Sequence, residues 1–407
     1  MSFRDEQRTL CQAARAIGLE RRGTVGTRTR FQVMSFLTTF PEDVYPTRSL
    51  AETIQTEVFD IGLAQALMWM SQAAYETTAD TSEVCEKCKL ERILERWGFI
   101  CRARQGGTEG FVAEGETTLV VASVGTDPVI AANWITDFNI RTGPDGVHRG
   151  FSDGVACVGP ALIAALAGTT KHIFLVGHSL GGALAVVAAW RLTADGWDFA
   201  DWIQPDERID LARIAGVVTY GMPRAGDEAF EAAYRSRGLW QKTARLEYGN
   251  DIIPSLPPAA IGQLAFRHVG PALHCPHGGQ FKDLLPPRDD PDDRIELAQL
   301  EELIGITNRE TLHNIRDAWG RILDHGVPRS PAGGTATLII DRLPFFLRDH
   351  VQDCYLEALG WSFARSSESR VSISAHDADA FAHASEIRIA ASGGGLSALL
   401  RRLLSSR

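Results

Sequence analysis

The segment Gly177-His178-Ser179-Leu180-Gly181-Gly182 lies between two apolar runs. Residues 172–176 before it (HIFLV) have the length and residue types of a short buried strand, and residues 183–192 after it those of a buried helix. The glycines two positions before and two after Ser179 are the small neighbours that a strained strand-to-helix turn requires. This context disfavours the alternative, a glycine-rich turn with a surface serine. The sequence therefore predicts a strand–turn–helix unit with Ser179 at its tip.

Strand-like and helix-like runs also alternate on both sides of this strand–turn–helix unit. The strand-like runs, rich in β-branched residues, are 117–124, 214–220 and 243–248. The runs with helical spacing or composition are 50–76, 83–97 and 153–166. Alternating strands and helices predict an α/β fold with a mostly parallel central sheet and helices on both faces.

Composition excludes several classes of protein. The net charge of −10 disfavours nucleic-acid binding, which needs clustered Lys and Arg. The uncharged run 173–190 contains the Ser179 turn and its glycines, so no transmembrane segment is predicted. Cys85 and Cys88 lack the second pair that a zinc ribbon needs, and no metal is expected.

Two features predict a cytoplasmic location, with signal-independent export as an alternative. The N-terminal sequence has early charges without an apolar leader, and the number of cysteines is odd and low.

A serine hydroxyl becomes nucleophilic when a base removes its proton and an acid orients that base. After Ser179, Asp227 and Asp251 both follow strand candidates, and the sequence around Asp227 favours a helix N-cap. The N–H of Leu180, at the start of the predicted helix, is expected to be one oxyanion donor. Chemistry alone leaves the base open among the later histidines, which are 268, 274, 277, 313, 325 and 350.

Motifs spread along the chain resemble those of the class 3 lipases, the fungal-type triacylglycerol lipases and their relatives, which have the α/β-hydrolase fold. The matching segments are GHSLGGALA, YGMPRAGDEAF and YGNDIIPSLPP, with Val147 to Phe151, Gly125-Thr126 and Asn133 to Phe138 upstream. The resemblance implies Ser179 as nucleophile, Asp251 as acid and Thr126 as second oxyanion residue. It implies His350 as base, with His325 as the rival, and places His268 in a structural segment.

The resemblance also implies an organisation and a lid. The expected division is an N-terminal extension at 1–48, a hydrolase domain at 49–365 and a C-terminal tail at 366–407. An insertion is expected at about 271–340, and its first part, 271–294, has the Pro, Gly and Asp content of a surface loop. The apolar stretch after Thr126 is predicted to be a lid, the alternative being a packed helix. The expected lid and substrate-binding residues are Val129, Ile130, Trp134, Asp137 and His178.

The function that these expectations describe is hydrolysis of lipid esters through an acyl-enzyme, without cofactor. The expected partners are a lipid ester and, transiently, a lipid interface. Other activities open to the same site are those of a phospholipase, an acyltransferase or a feruloyl-type esterase. A different class, a catalytically silent relative that binds lipid or protein, is disfavoured because the chain retains candidates for all three catalytic groups.

Overall fold

The computed structural model describes residues 39–40, 42–55, 59–79, 88–105, 110–125, 141–193, 208–249, 251, 253–257, 265–283 and 349–363. The strands in this part of the chain are β1 (Ile100–Gln105), β2 (Gly110–Glu114), β3 (Thr118–Ser123), β4 (His172–His178), β5 (Ile214–Tyr220), β6 (Gly226–Asp227), β7 (Thr243–Tyr248), β8 (Phe266–Arg267) and β9 (Ala272–Cys275). The α-helices are α1 (Ile61–Ala74), α2 (Glu76–Ala79), α3 (Lys89–Arg96), α4 (Arg149–Leu166), α5 (Leu180–Thr193), α6 (Glu228–Ser236) and α7 (Gln352–Ala358). None of the described helices has the length and apolarity that a membrane span requires.

Seven strands form the central sheet in the order β1-β2-β3-β4-β5-β7-β9. Strands β1 to β3 are antiparallel, and from β3 to β9 all neighbours are parallel. Strands β6 and β8 form a separate antiparallel pair. The parallel part places the carboxyl ends of β3, β4, β5 and β7 at one edge, where the loops of an α/β fold form its sites.

Helices cover both faces of this sheet, as predicted. Alternate residues of β4 face opposite ways because side chains of a strand alternate across its plane. Phe174 and Val176 join one core cluster with residues of α1, α3 and α7, whereas Ile173 and Leu175 join a second cluster with residues of α4, α5 and α6. The apolar HIFLV run is therefore a central strand buried on both faces.

Several element predictions are confirmed. Strands β5 and β7 have the predicted bounds, and the predicted helix 183–192 lies within α5. The predicted helix 50–76 is shorter, because α1 begins at Ile61 after Asp60, whose carboxylate accepts a hydrogen bond from the Leu63 N–H at 2.6 Å. The hairpin of β1 and β2 was not predicted. Its first strand, ICRARQ, lies at a sheet edge and carries two arginines, so it lacks the apolar run of a central strand.

The expected surface loop at 271–294 needs correction at its beginning. Strand β9 is the last strand of the central sheet, and Leu246 of β7 pairs with Leu273. The segment ALHC is short and lies between Gly270-Pro271 and the stretch PHGG, so its surroundings have the composition of a loop. The predicted insertion therefore begins within the sheet, and residues 284–340 lie outside the described part.

The packed part of the chain already includes residues before 49. Tyr45 is buried in the core beside α1, and its hydroxyl donates to Glu76 Oε1 at 2.5 Å. Lys89 Nζ lies 2.8 Å from the same carboxylate oxygen. Segment 39–48 thus contacts the proposed hydrolase domain directly, and the division at residue 49 otherwise stays a prediction.

A buried ion pair joins α5 to the segment before α4. Arg191 Nη2 lies 2.6 Å from Asp145 Oδ2, and both side chains are 4% exposed. The same nitrogen donates to Ser152 Oγ at 2.8 Å. We expect Arg191→Met to lower the free energy of unfolding in urea by about 3–5 kcal/mol, because it leaves a buried carboxylate without its cation.

The control for this change is Arg104→Met, which removes an exposed arginine 3.8 Å from Glu91. We expect it to change the free energy of unfolding by less than about 1 kcal/mol, because exposed pairs are screened by water. Equal effects of the two substitutions would show that the buried pair does not hold these segments together.

Candidate active site

The turn between β4 and α5 has the strained geometry that its glycines predict. Ser179 has φ of 59°, in the left-handed region that residues with a side chain rarely adopt. A Cβ added to Gly177 would lie 2.2 Å from the carbonyl carbon and oxygen of Gly181. A Cβ on Gly181 would lie 2.3 Å from the carbonyl oxygen of Ser123. The turn therefore closes because both neighbours lack a side chain.

Three side chains from distant segments form a hydrogen-bonded chain at this turn. His350 Nε2 lies 2.8 Å from Ser179 Oγ, and His350 Nδ1 lies 2.8 Å from Asp251 Oδ2. All three residues are buried. Asp251 follows β7 and His350 directly precedes α7, so the carboxyl edge of the sheet brings together the three residues that the sequence singled out.

The Asp251 carboxylate has two further donors. The Tyr355 hydroxyl donates to Oδ2 at 2.7 Å, and the Ile253 N–H donates to Oδ1 at 2.9 Å. Burial first, and the nearby Asp251 charge second, raise the pKa of Tyr355 well above its ordinary value, so the phenol keeps its proton. The Tyr248 N–H donates to the Tyr355 oxygen at 3.1 Å. These bonds fix the carboxylate that orients the imidazole.

Gly221 leaves room for this network. Its φ is +59°, and an added Cβ would lie 2.6 Å from Asp251 Oδ2 and 3.0 Å from both His350 Nδ1 and the Tyr355 hydroxyl. Tyr355 and Gly221 were not predicted as site residues. The signal available for Tyr355 was an aromatic residue five positions after His350 in the closing helix.

The His178 side chain supports the base from inside the protein, and its expected substrate-binding role stays a prediction. Its side chain is fully buried, with Nε2 2.7 Å from the His350 carbonyl oxygen and Nδ1 2.9 Å from the Tyr75 hydroxyl. A carbonyl only accepts, so Nε2 carries the proton and Nδ1 accepts from Tyr75. Burial first, then the neighbouring His350, lower the pKa of His178 well below its ordinary value. His178 is therefore a neutral residue that holds the His350 backbone.

Two parts of the expected oxyanion site lie beside Ser179. Leu180 is the first residue of α5, and the first N–H groups of a helix have no carbonyl partner within the helix. Gly125 packs at the same turn, because an added Cβ would lie 3.1 Å from Ser179 Cβ and 2.2 Å from the Tyr75 hydroxyl. Thr126 is the next residue along the chain and lies outside the described residues.

The remaining lid, substrate-binding and rival residues are also outside the described part of the chain. They are Val129, Ile130, Trp134, Asp137 and His325, and their roles stay predictions.

The other weighed candidates have structural roles. The Asp227 carboxylate accepts from the N–H groups of Ala229 and Phe230, which confirms the predicted N-cap of α6. His268 Nε2 donates to the Pro254 carbonyl oxygen at 2.7 Å, away from the serine. Burial first, then Arg245 and Arg224, lower the pKa of His268 well below its ordinary value.

Among the residues that the structure describes, no group of three or more His, Cys, Asp and Glu side chains is arranged to hold a metal ion. Cys88 is the N-cap residue of α3, and Cys85 lies outside the described residues.

Part of the chain is similar to known lipases. The family profile Lipase (class 3) matches residues 127–261. A protein from Fusarium solani named "Secreted mono- and diacylglycerol lipase 1" is 34% identical over 165 residues, which are 37% of this chain and 42% of that protein. A lipase from Rhizomucor miehei is 28% identical over 197 residues, 46% of this chain and 49% of that protein. The chain thus spans less than half the length of these two relatives.

Solved structures overlap with the chain in part. The native Rhizomucor miehei lipase propeptide complex has a TM-score of 0.39 and 24% identity, covering 53% of this chain and 68% of that chain. The Yarrowia lipolytica lipase LIP2 has a TM-score of 0.41 and 17% identity, covering 56% of this chain and 84% of that chain. The fold assignment therefore depends on the strand order and the serine turn themselves.

The expected cytoplasmic location is wrong, because the Fusarium solani relative is named a secreted lipase. The expectation depended on a charged N-terminal sequence and few cysteines. A large packed core needs no disulfide framework, so few cysteines do not indicate a reducing compartment.

The strand order of the sheet, the strained serine turn and the family match agree with the resemblance first seen in the sequence motifs. Residues 127–261 match the class 3 lipase family model, and the described part of the chain has an α/β-hydrolase fold.

Proposed function

We propose that this chain is a serine carboxylic ester hydrolase that acts on lipid esters through an acyl-enzyme. The observation that supports it most is the continuous chain from Ser179 Oγ to His350 Nε2 and from His350 Nδ1 to Asp251 Oδ2, with 2.8 Å at each step. These are the distances at which a base removes a hydroxyl proton and a carboxylate orients that base.

In the proposed reaction, His350 Nε2 accepts the Ser179 proton as Oγ attacks the ester carbonyl carbon. The imidazolium then gives that proton to the leaving alcohol as the carbon–oxygen bond breaks. Water attacks the acyl-enzyme in the second step, again with His350 as base, and the acid leaves while Ser179 regains its proton. Asp251 stays ionised throughout and stabilises the imidazolium.

The oxyanion of each tetrahedral intermediate needs donors beside Ser179. We assign this role to the Leu180 N–H at the start of α5 and to Thr126. The N-terminal end of a helix carries partial positive charge, which favours negative charge developing at that position. The donors are aimed before the reaction begins, so no reorganisation is required at the transition state.

His178 contributes through its neutrality. Because it stays uncharged beside His350, it does not oppose the positive charge that His350 acquires during catalysis. Its Nε2–H also fixes the His350 carbonyl, so the base is held at its backbone as well as at its side chain.

The names of the relatives favour glycerol esters as the substrate class. The Fusarium solani relative is named a mono- and diacylglycerol lipase, and an Arabidopsis thaliana relative a triacylglycerol lipase. A second candidate substrate is a phospholipid, because a relative from Oryza sativa named a phospholipase A1 is 28% identical over 184 residues, 37% of this chain. Both substrates use the same acyl transfer at Ser179.

Hydrolysis of p-nitrophenyl esters from acetate to palmitate tests the proposal. Ser179→Ala is expected to lower the rate by about 10³-fold or more, because the nucleophile is lost. Circular dichroism checks that the variant is folded. A folded wild type that hydrolyses none of these esters, even with emulsified lipid present, would overturn the proposal.

Asp251→Asn separates the proposed acid from its sequence rival. We expect kcat to fall about 10³- to 10⁴-fold, because an amide does not hold His350 in the reactive tautomer. The control is Asp227→Ala, which removes a helix cap and costs about 1 kcal/mol of stability. The kcat of Asp227→Ala, measured well below its unfolding temperature, is expected to match wild type. A larger loss of kcat in Asp227→Ala than in Asp251→Asn would contradict the assignment.

The buried His178 makes stability depend on pH. Below about pH 6.5 the unfolded chain protonates this imidazole whereas the folded protein does not, so the unfolded state binds one more proton. The free energy of unfolding therefore rises with pH below that value, with a contribution of about 1.4 kcal/mol per unit. Urea unfolding at several acidic pH values gives the slope of the free energy of unfolding against pH. We expect this slope to be smaller by that amount in His178→Gln than in wild type. Equal slopes in the two proteins would contradict the prediction.

A further inference from the structure

A second carboxylate–imidazole pair lies next to the proposed base. Asp349 precedes His350 directly, and its carboxylate oxygens lie 3.0 and 2.9 Å from His277 Nδ1. The Asp349 side chain is 1% exposed, whereas that of His277 is 62% exposed. The pair thus connects a buried carboxylate to an imidazole at the surface.

The Asp349 carboxylate fills a space that Gly249 leaves open. Gly249 has φ of +58°, and an added Cβ would lie 2.3 Å from Asp349 Oδ2 and 2.8 Å from its Cγ. Gly249 is two residues before Asp251 in the chain. The segment of His350 therefore packs directly on the segment of the proposed acid.

The turn that carries His277 is fixed to the same place. The Gly278 N–H donates to the Tyr248 hydroxyl at 3.0 Å, and the Gly249 N–H donates to the Cys275 carbonyl oxygen at 2.8 Å. The His277 ring lies 6.1 Å from the Tyr248 ring, centroid to centroid. His277 is therefore held at the ends of β7 and β9, the two strands beside the acid.

We propose that His277 is a positioning residue of the active site, which keeps the His350 imidazole between Ser179 and Asp251 by pairing with Asp349. The inference depends on the proposed function, because it assigns a support to the base of that reaction.

The energetic argument starts from the buried carboxylate. A carboxylate at 1% exposure is costly without hydrogen-bond donors, and removing the His277 donor raises that cost. Asp349 then gains by turning toward water. Because Asp349 and His350 share a peptide bond, this movement displaces the backbone that carries the base, and small displacements in an active site are costly in rate.

The test compares His277→Phe, which keeps a ring beside Tyr248 but has no donor, with His277→Arg, which offers the carboxylate a donor again. Lys282→Ala is the matched control, since it removes an exposed cation from the same segment without a contact at the site. Values of kcat and KM on a p-nitrophenyl ester are measured with the unfolding temperature of each variant, and Ser179→Ala gives the background rate.

We expect His277→Phe to lower kcat about tenfold or more with KM unchanged, and to lower the unfolding temperature while the protein stays folded at the assay temperature. His277→Arg is expected to recover most of the rate, and Lys282→Ala to match wild type. In an Asp349→Asn background, the His277→Phe substitution should have little further effect on kcat, because the two residues act as one unit.

Full activity of His277→Phe, or equal loss in His277→Phe and His277→Arg, would overturn the inference. A loss that follows the fraction of unfolded protein would also overturn it, since His277 would then have a structural role alone. The proposed function fails separately, when wild type is no more active than Ser179→Ala.

Discussion

The close approach of β3, the serine turn and the start of α5 is the constraint on which the site depends. Ser179 takes a left-handed backbone conformation, and the approach is possible because Gly177 and Gly181 have no side chain. The strain is compensated by the packing of β4 and α5 within the two cores. With the turn closed, the serine oxygen points away from the sheet toward the loops at its carboxyl edge.

The rest of the site is a series of buried polar groups that satisfy one another. Asp251 accepts from His350, Tyr355 and the Ile253 backbone, while His178 donates to the His350 carbonyl and accepts from Tyr75. Burial keeps Tyr355 protonated and His178 neutral. The Asp251 carboxylate is thus held by several donors in the position from which it orients the His350 imidazole.

The sequence was most informative where local chemistry decides the structure. The apolar run 172–176 and the glycines around Ser179 specify a buried strand and a sharp turn by themselves, and these predictions are confirmed. Asp251 and His350 were selected by motif resemblance, and the fold brings their side chains to the serine. What sequence could not supply depends on long-range pairing: β9 is a short segment that is a strand because β7 lies beside it. The hydrogen bonds of His178 were missed for the same reason, because Tyr75 lies 103 residues away in the chain.

The central claim is that Ser179 Oγ is the nucleophile, and covalent labelling tests it most directly. Diethyl p-nitrophenyl phosphate transfers its phosphoryl group to an activated serine and releases p-nitrophenolate, which can be counted against protein. Peptide mass spectrometry then locates the adduct. The account predicts one equivalent of p-nitrophenolate and one diethylphosphoryl group on Ser179, with ester hydrolysis lost in proportion. An active, folded protein that is labelled at another residue, or that stays active without label at Ser179, would contradict it.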